Sequence, residues 1–160
     1  RGEPDDAAVR GSAQVRGSAP PRADAVVLLA HGSPDPDWML PVERCAALMR
    51  SQAPGRPVLV ATLEQGRSLD DVAGELAAAG AREVAVIPFF LSPGGRHVKR
   101  DLPAAVAATQ AVVPGLRLHL GPGAIGMDAD VLAALASAAL RRAGLGDLLD
   151  LGDCSDLRDD

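Results

Sequence analysis

After Asp24 the chain alternates between short apolar runs and longer amphipathic stretches. The runs are Ala25–Ala30, Val58–Leu63, Val84–Phe89 and Leu116–Leu120. The first three are almost continuously apolar, which predicts strands covered on both faces. The stretches that follow them predict helices over Met39–Gln52, Ser68–Ala79, Lys99–Val112 and Asp128–Ala143. The second is the clearest. Ser68 is followed three residues later by Asp71, a variant of the capping box, and Gly80 supplies the stop. Leu69, Val72, Ala73 and Leu76 form one stripe between them. Pro41 and Pro103 fall in or near first turns, where a missing N–H is tolerated. Asp128 is a good cap for the fourth helix. Strand followed by helix, four times over, implies parallel pairing with a helix in every crossover. The predicted fold class is α/β: three layers, a four-stranded parallel sheet with helices on both faces.

The flanks differ. Residues 1–23 hold Gly, Ser, Ala, Pro and scattered charges without periodicity and read as a flexible leader. Residues 24–145 form one domain, and 146–160 read as an acidic, disordered tail. The net charge of −5 sits in that tail, where six Asp face one Arg. From Arg22 to Leu145 twelve basic residues cancel twelve acidic ones. A neutral body argues against a broad nucleic-acid surface. No window holds the 18 or so apolar residues of a membrane span. Cys45 and Cys154 are too few for a disulfide framework or a four-thiolate metal site, so a reducing, cytoplasmic setting is expected.

In an open parallel sheet ligands bind beyond the carboxyl ends of the strands, at the topological switch point. The first strand runs into His31-Gly32-Ser33-Pro34, and the second ends in Leu63-Glu64-Gln65-Gly66-Arg67. The third leads into Phe89-Phe90-Leu91-Ser92-Pro93-Gly94-Gly95-Arg96-His97. Each polar residue has an ordinary structural explanation. His31 could bond a loop carbonyl, Glu64 could pair with Arg67, and His97 could cap a helix. His119, inside the fourth strand, reads as a packed or edge histidine. Placed at one edge, His31, His97 and Glu64 instead make a donor set of two imidazoles and a carboxylate. That set suits a borderline divalent metal, and three ligands with open positions suit catalysis. A helix N-terminus would keep His97 neutral, as a ligand must be. Arg67, Arg96, Lys99 and Arg100 are either a solvated helix face or a clamp for an anionic ligand. Trp38, Phe89, Phe90 and Leu91 supply the large apolar side chains of this edge. Core packing is their simpler role, a face for a planar ligand the other.

The segments VVLLAHGSP, ATLEQGRSLDDVAGELAAAGAREVAVIPFFLSPGGRHVKRDLP and GPGAIGMDADVLAAL resemble the sirohydrochlorin chelatase family, the CbiX/SirB type. The likeness covers Ala25 to Ala143. It implies the chelatase fold and insertion of a divalent metal, Co2+ or Fe2+, into sirohydrochlorin, for cobalamin or sirohaem, with Ni2+ a further candidate for the metal. The metal is then a substrate, and no organic cofactor is implied. The family's metal-binding and catalytic groups fall on His31, His97 and Glu64. The many carboxylates of the tetrapyrrole would be met by Arg67, Arg96, Lys99 and Arg100, with Ser33 and Phe90 also lining the site. The single domain resembles the short form, which implies a homodimer, with no nucleic acid or membrane partner. The His-rich and Cys-rich stretches of some members are missing. The alternative is a metal or tetrapyrrole carrier on the same fold, without turnover. A hydrolase would need a G-x-S-x-G elbow, which the sequence lacks.

Overall fold

A computed structural model describes residues 22–93, 95 and 97–146, apart from the side chains of His97 and Val98. The expected leader up to Pro21, the tail from Asp147, Gly94 and Arg96 lie outside the described residues.

The chain runs β1 (Ala25–Ala30), α1 (Leu40–Gln52), β2 (Val58–Thr62), α2 (Leu69–Ala78), β3 (Glu83–Pro88), α3 (Leu102–Val112), β4 (Arg117–Leu120) and α4 (Ala129–Arg142). All four strands are parallel, in the order β2-β1-β3-β4. Successive connections from β1 therefore leave in opposite directions, and the switch point lies between β1 and β3. The expected α/β architecture is what forms.

Local chemistry explains the boundaries. The Ser68 hydroxyl accepts the Asp71 N–H at 3.1 Å and donates to its carboxylate at 2.7 Å, so the cap serves in both directions. At the other end of α2, Gly80 has φ +90° and Ala81 N–H reaches back to the Leu76 carbonyl at 3.0 Å. That is a Schellman stop. The third helix begins later than the Lys99 predicted for it. A π-turn occupies His97–Asp101, and α3 proper starts at Leu102, with Pro103 in its first turn. Pro103 lacks an N–H and its ring clashes with the carbonyl four residues back, so a regular helix through Lys99 is disfavoured.

The two faces of the sheet are filled unequally. Val27, Leu29, Val84 and Val86 meet Val72, Leu76, Leu102 and Val106 of α2 and α3. On the other face Leu28, Ala30 and Val58 meet Val42 and Ala46 of α1. Helix α4 has no buried residue. Side chains cap part of each outer rim of the sheet. Arg50 Nε donates to the Val58 carbonyl at 2.8 Å along β2. Gln110 of α3 accepts the Leu118 N–H at 2.9 Å and donates to the Leu116 carbonyl along β4. His119 is an edge histidine, its Nε2 2.5 Å from Glu83 Oε2, and Arg117 holds the other oxygen of Glu83 at 2.9 Å.

Candidate active site at the carboxyl edge of the sheet

Backbone hydrogen bonding continues past the ends of β1 and β2. Leu63 N–H donates to Ala30 and Glu64 N–H to His31, both at 3.0 Å. This brings His31 and Glu64 side by side. Gly32 makes the approach possible. Its φ is +93°, and a Cβ there would lie 2.4 Å from the Gln65 carbonyl oxygen and 3.0 Å from Thr62 Cβ. Past Glu64 the chain folds back, and the Arg67 carbonyl accepts both Thr62 N–H and Thr62 Oγ1, at 2.8 and 3.2 Å.

The two side chains face each other, with His31 Nδ1 3.8 Å from Glu64 Oε1. The side chains are 42% and 57% exposed, but His31 Nδ1 itself is covered and its open side is the rest of the ring. Two ligand bonds of about 2 Å span at most about 4 Å, so one divalent ion is within reach of both atoms. Among the described residues no three His, Cys, Asp or Glu side chains form a metal-binding group. His97 opens the π-turn after β3, its side chain outside the described residues, and Lys99 and Arg100 are exposed on that turn.

The remaining candidates take different places. Arg67 is ion-paired with Glu75, seven residues into α2, so its guanidinium lies along that helix. Glu64 is thereby left to His31 rather than to Arg67. Ser33 Oγ accepts the Asp35 N–H at 3.1 Å, and Asp35 accepts the Asp37 N–H at 3.0 Å, capping a 3-10 turn over Pro36–Met39. Ser33 thus shapes the loop beside His31. Phe90 is half-buried against the α2–α3 core. With Cys45, Phe89, Leu91, Ile125 and Val131 it also lines an apolar cleft of about 270 Å³.

Core packing fails for two residues of this edge. Trp38 is 73% and Leu91 69% exposed. Trp38 stands on a turn flanked by Asp35 and Asp37, which holds it out in solvent, and Leu91 lies where the chain has already left β3. The residue that sequence reading missed is Gly126, whose buried backbone lies against Leu91. No periodic pattern marks it.

Among curated proteins the chain has no sequence match. Among solved structures it is similar to a CbiX protein ascribed to cobalamin (vitamin B12) biosynthesis, from Marinobacter aquaeolei VT8. The two are 25% identical with a TM-score of 0.66, over 77% of this chain and 97% of that one. The CbiX family model matches residues 25–141, from the first residue of β1 to the last turn of α4. A match of that extent, on a four-stranded parallel sheet of the expected kind, means that the chain belongs to the CbiX family of chelatases.

Proposed function

We propose that this protein inserts a divalent metal, Co2+ or Fe2+, into sirohydrochlorin, in the cytoplasm and as a homodimer. The observation that carries the reading is the His31–Glu64 pair, 3.8 Å apart just past the carboxyl ends of β1 and β2. Insertion releases two protons: the ring gives up two pyrrole N–H protons as the ion binds its four nitrogens. His31 and His97 hold the incoming metal through neutral imidazole nitrogens. Glu64, exposed beside His31, takes one ring proton and passes it to water, and the second is released to water directly. Few ligands in an open site suit the task, because the ion must also be released to the macrocycle. Lys99 and Arg100 meet the peripheral carboxylates. A tetrapyrrole is broader than the edge one domain offers, and a second copy supplies the opposite wall.

The test is an anaerobic insertion assay on sirohydrochlorin with Co2+, Fe2+ and Ni2+ in parallel, followed by absorbance. His31→Ala is expected to keep its fold and lose at least about a hundredfold in rate, the lower end of what a positioned acid–base group contributes. Full activity in that variant would overturn the assignment. Binding of metal and tetrapyrrole without turnover by the wild type would make the protein a carrier.

A further inference from the structure

The 3-10 turn Ile125–Met127, between β4 and α4, is pressed onto the loop that leaves β3. Gly126 N–H donates to the Phe90 carbonyl at 2.8 Å. A Cβ on Gly126 would lie 2.3 Å from Leu91 Cα, 2.5 Å from its carbonyl oxygen and 2.7 Å from its carbonyl carbon. All three are backbone atoms, which cannot step aside as a flexible side chain can. Gly126 is not among the glycines with positive φ. Close approach, not backbone conformation, is therefore what requires glycine. The segment held in this way runs on from Leu91 to the π-turn that begins at His97 and carries Lys99 and Arg100. Helix α4, which follows this turn, has no fully buried residue.

We propose that Gly126 is a positioning residue: its backbone-to-backbone contact with Leu91 fixes where the loop leaving β3 starts out, and so governs how His97, Lys99 and Arg100, further along it, stand relative to His31 and Glu64. The inference rests on the chelatase reading for what the loop delivers, but not for the contact itself. Ile125 completes the grip. It lines the 270 Å³ cleft against Phe89 and Phe90 and a second cleft of about 280 Å³ against Leu28 and Ile87.

The experiment compares the full chain with Gly126→Ala, Ile125→Ala and Leu116→Ala. Leu116 is buried just before β4, at the opposite end of the sheet, and serves as a destabilised control. Two readouts are taken well below each variant's melting temperature: amide hydrogen exchange over residues 89–101, and Co2+ affinity by titration with the metal alone. Gly126→Ala is expected to exchange faster over that loop and to bind Co2+ about 10–100-fold more weakly, the usual effect of losing a group that orients metal ligands. Ile125→Ala, which adds no clash, should shift both readouts in the same direction by less. It decides the matter if Gly126→Ala does not fold. Leu116→Ala should lose stability with both readouts unchanged. Unchanged loop exchange in the Gly126 and Ile125 variants overturns the proposal, and so does faster exchange with wild-type Co2+ affinity. Failure of the wild type to bind Co2+ overturns the chelatase reading instead, and the exchange readout still decides whether Gly126 holds the loop.

Discussion

Gly32→Ala is the sharpest probe of how the edge is built. Two separate costs follow from the geometry. With φ at +93°, a side chain at this position costs about 1–2 kcal/mol in left-handed strain. The new Cβ would also stand 2.4 Å from the Gln65 carbonyl oxygen and 2.9 Å from its nitrogen, so backbone must move. Overpacking of that kind adds about 1–3 kcal/mol. The expected total is about 2–5 kcal/mol, or roughly 8–20 °C in melting temperature at about 4 °C per kcal/mol for a domain of this size. Gly55 isolates the first cost. Its φ is +81°, with nothing within 4 Å of an added Cβ. Gly55→Ala should therefore lose only about 1–2 kcal/mol. Thermal melts followed by circular dichroism give the difference, which is the clash alone. The clash also drives Gln65, and with it Glu64, away from His31. Metal insertion measured below both melting temperatures should fall in Gly32→Ala and persist in Gly55→Ala. Equal melting temperatures for the two variants would refute the contact, and wild-type insertion in Gly32→Ala would refute its bearing on the site.

Other outcomes follow from single contacts. Asp24 accepts N–H groups of Arg82 and Glu83 at 2.9 and 3.0 Å, and these bonds, Arg82's foremost, hold its carboxyl below the usual carboxylate range. The unfolded chain then binds that proton more readily, so the stabilisation is present at neutral pH and fades as pH falls through the lowered value. The stability gap between wild type and Asp24→Ala should narrow on acidification in pH-dependent melts; a widening gap would reverse the assignment. The Thr109 hydroxyl, on a residue 1% exposed, donates to Asp70 and joins α3 to α2. Thr109→Val should cost about 1–3 kcal/mol in urea unfolding, as loss of a hydrogen bond to a charged group does. Replacing Lys99 and Arg100 together with Ala should raise KM for the tetrapyrrole more than it lowers kcat. An unchanged KM would make them a solvated surface.

The parts of the fold legible in the sequence are those written in consecutive residues. The apolar run of β1 is buried on both faces from Val27 to Ala30, and Ser68, Asp71 and Gly80 begin and end α2 where they stand. The carboxyl-edge positions of His31 and Glu64 followed from the strand ends alone. What the sequence hid depends on partners far along the chain. Arg67 has Glu64 three residues away, yet pairs with Glu75, because the turn after β2 lays it along α2. Trp38 looks like core material by residue type, but its place on a short polar turn leaves it in solvent. Helix α4 carries apolar residues including Val131 and Leu132, yet leaves them only half-buried. Gly126 resembles any loop glycine until Leu91 is seen against it.

Gln110 and Arg50 have a consequence for how the protein behaves among its own copies. An outermost strand offers unpaired peptide groups on which a foreign strand can grow. On β4 the carboxamide of Gln110 occupies Leu118 N–H and the Leu116 carbonyl, imitating one peptide of a fifth strand. On β2 the Val58 carbonyl is taken by Arg50 and Thr62 N–H by the Arg67 carbonyl, so the outward groups are claimed at both ends of that strand. Between those points only the peptide groups near Val60 remain, too short a stretch for stable pairing. Side chains and turns thus shorten the free edge on both outer strands without rolling the sheet into a barrel. A chain that presents its apolar surface through helices and loops rather than strand edges can associate face to face while resisting ordered, fibre-like stacking.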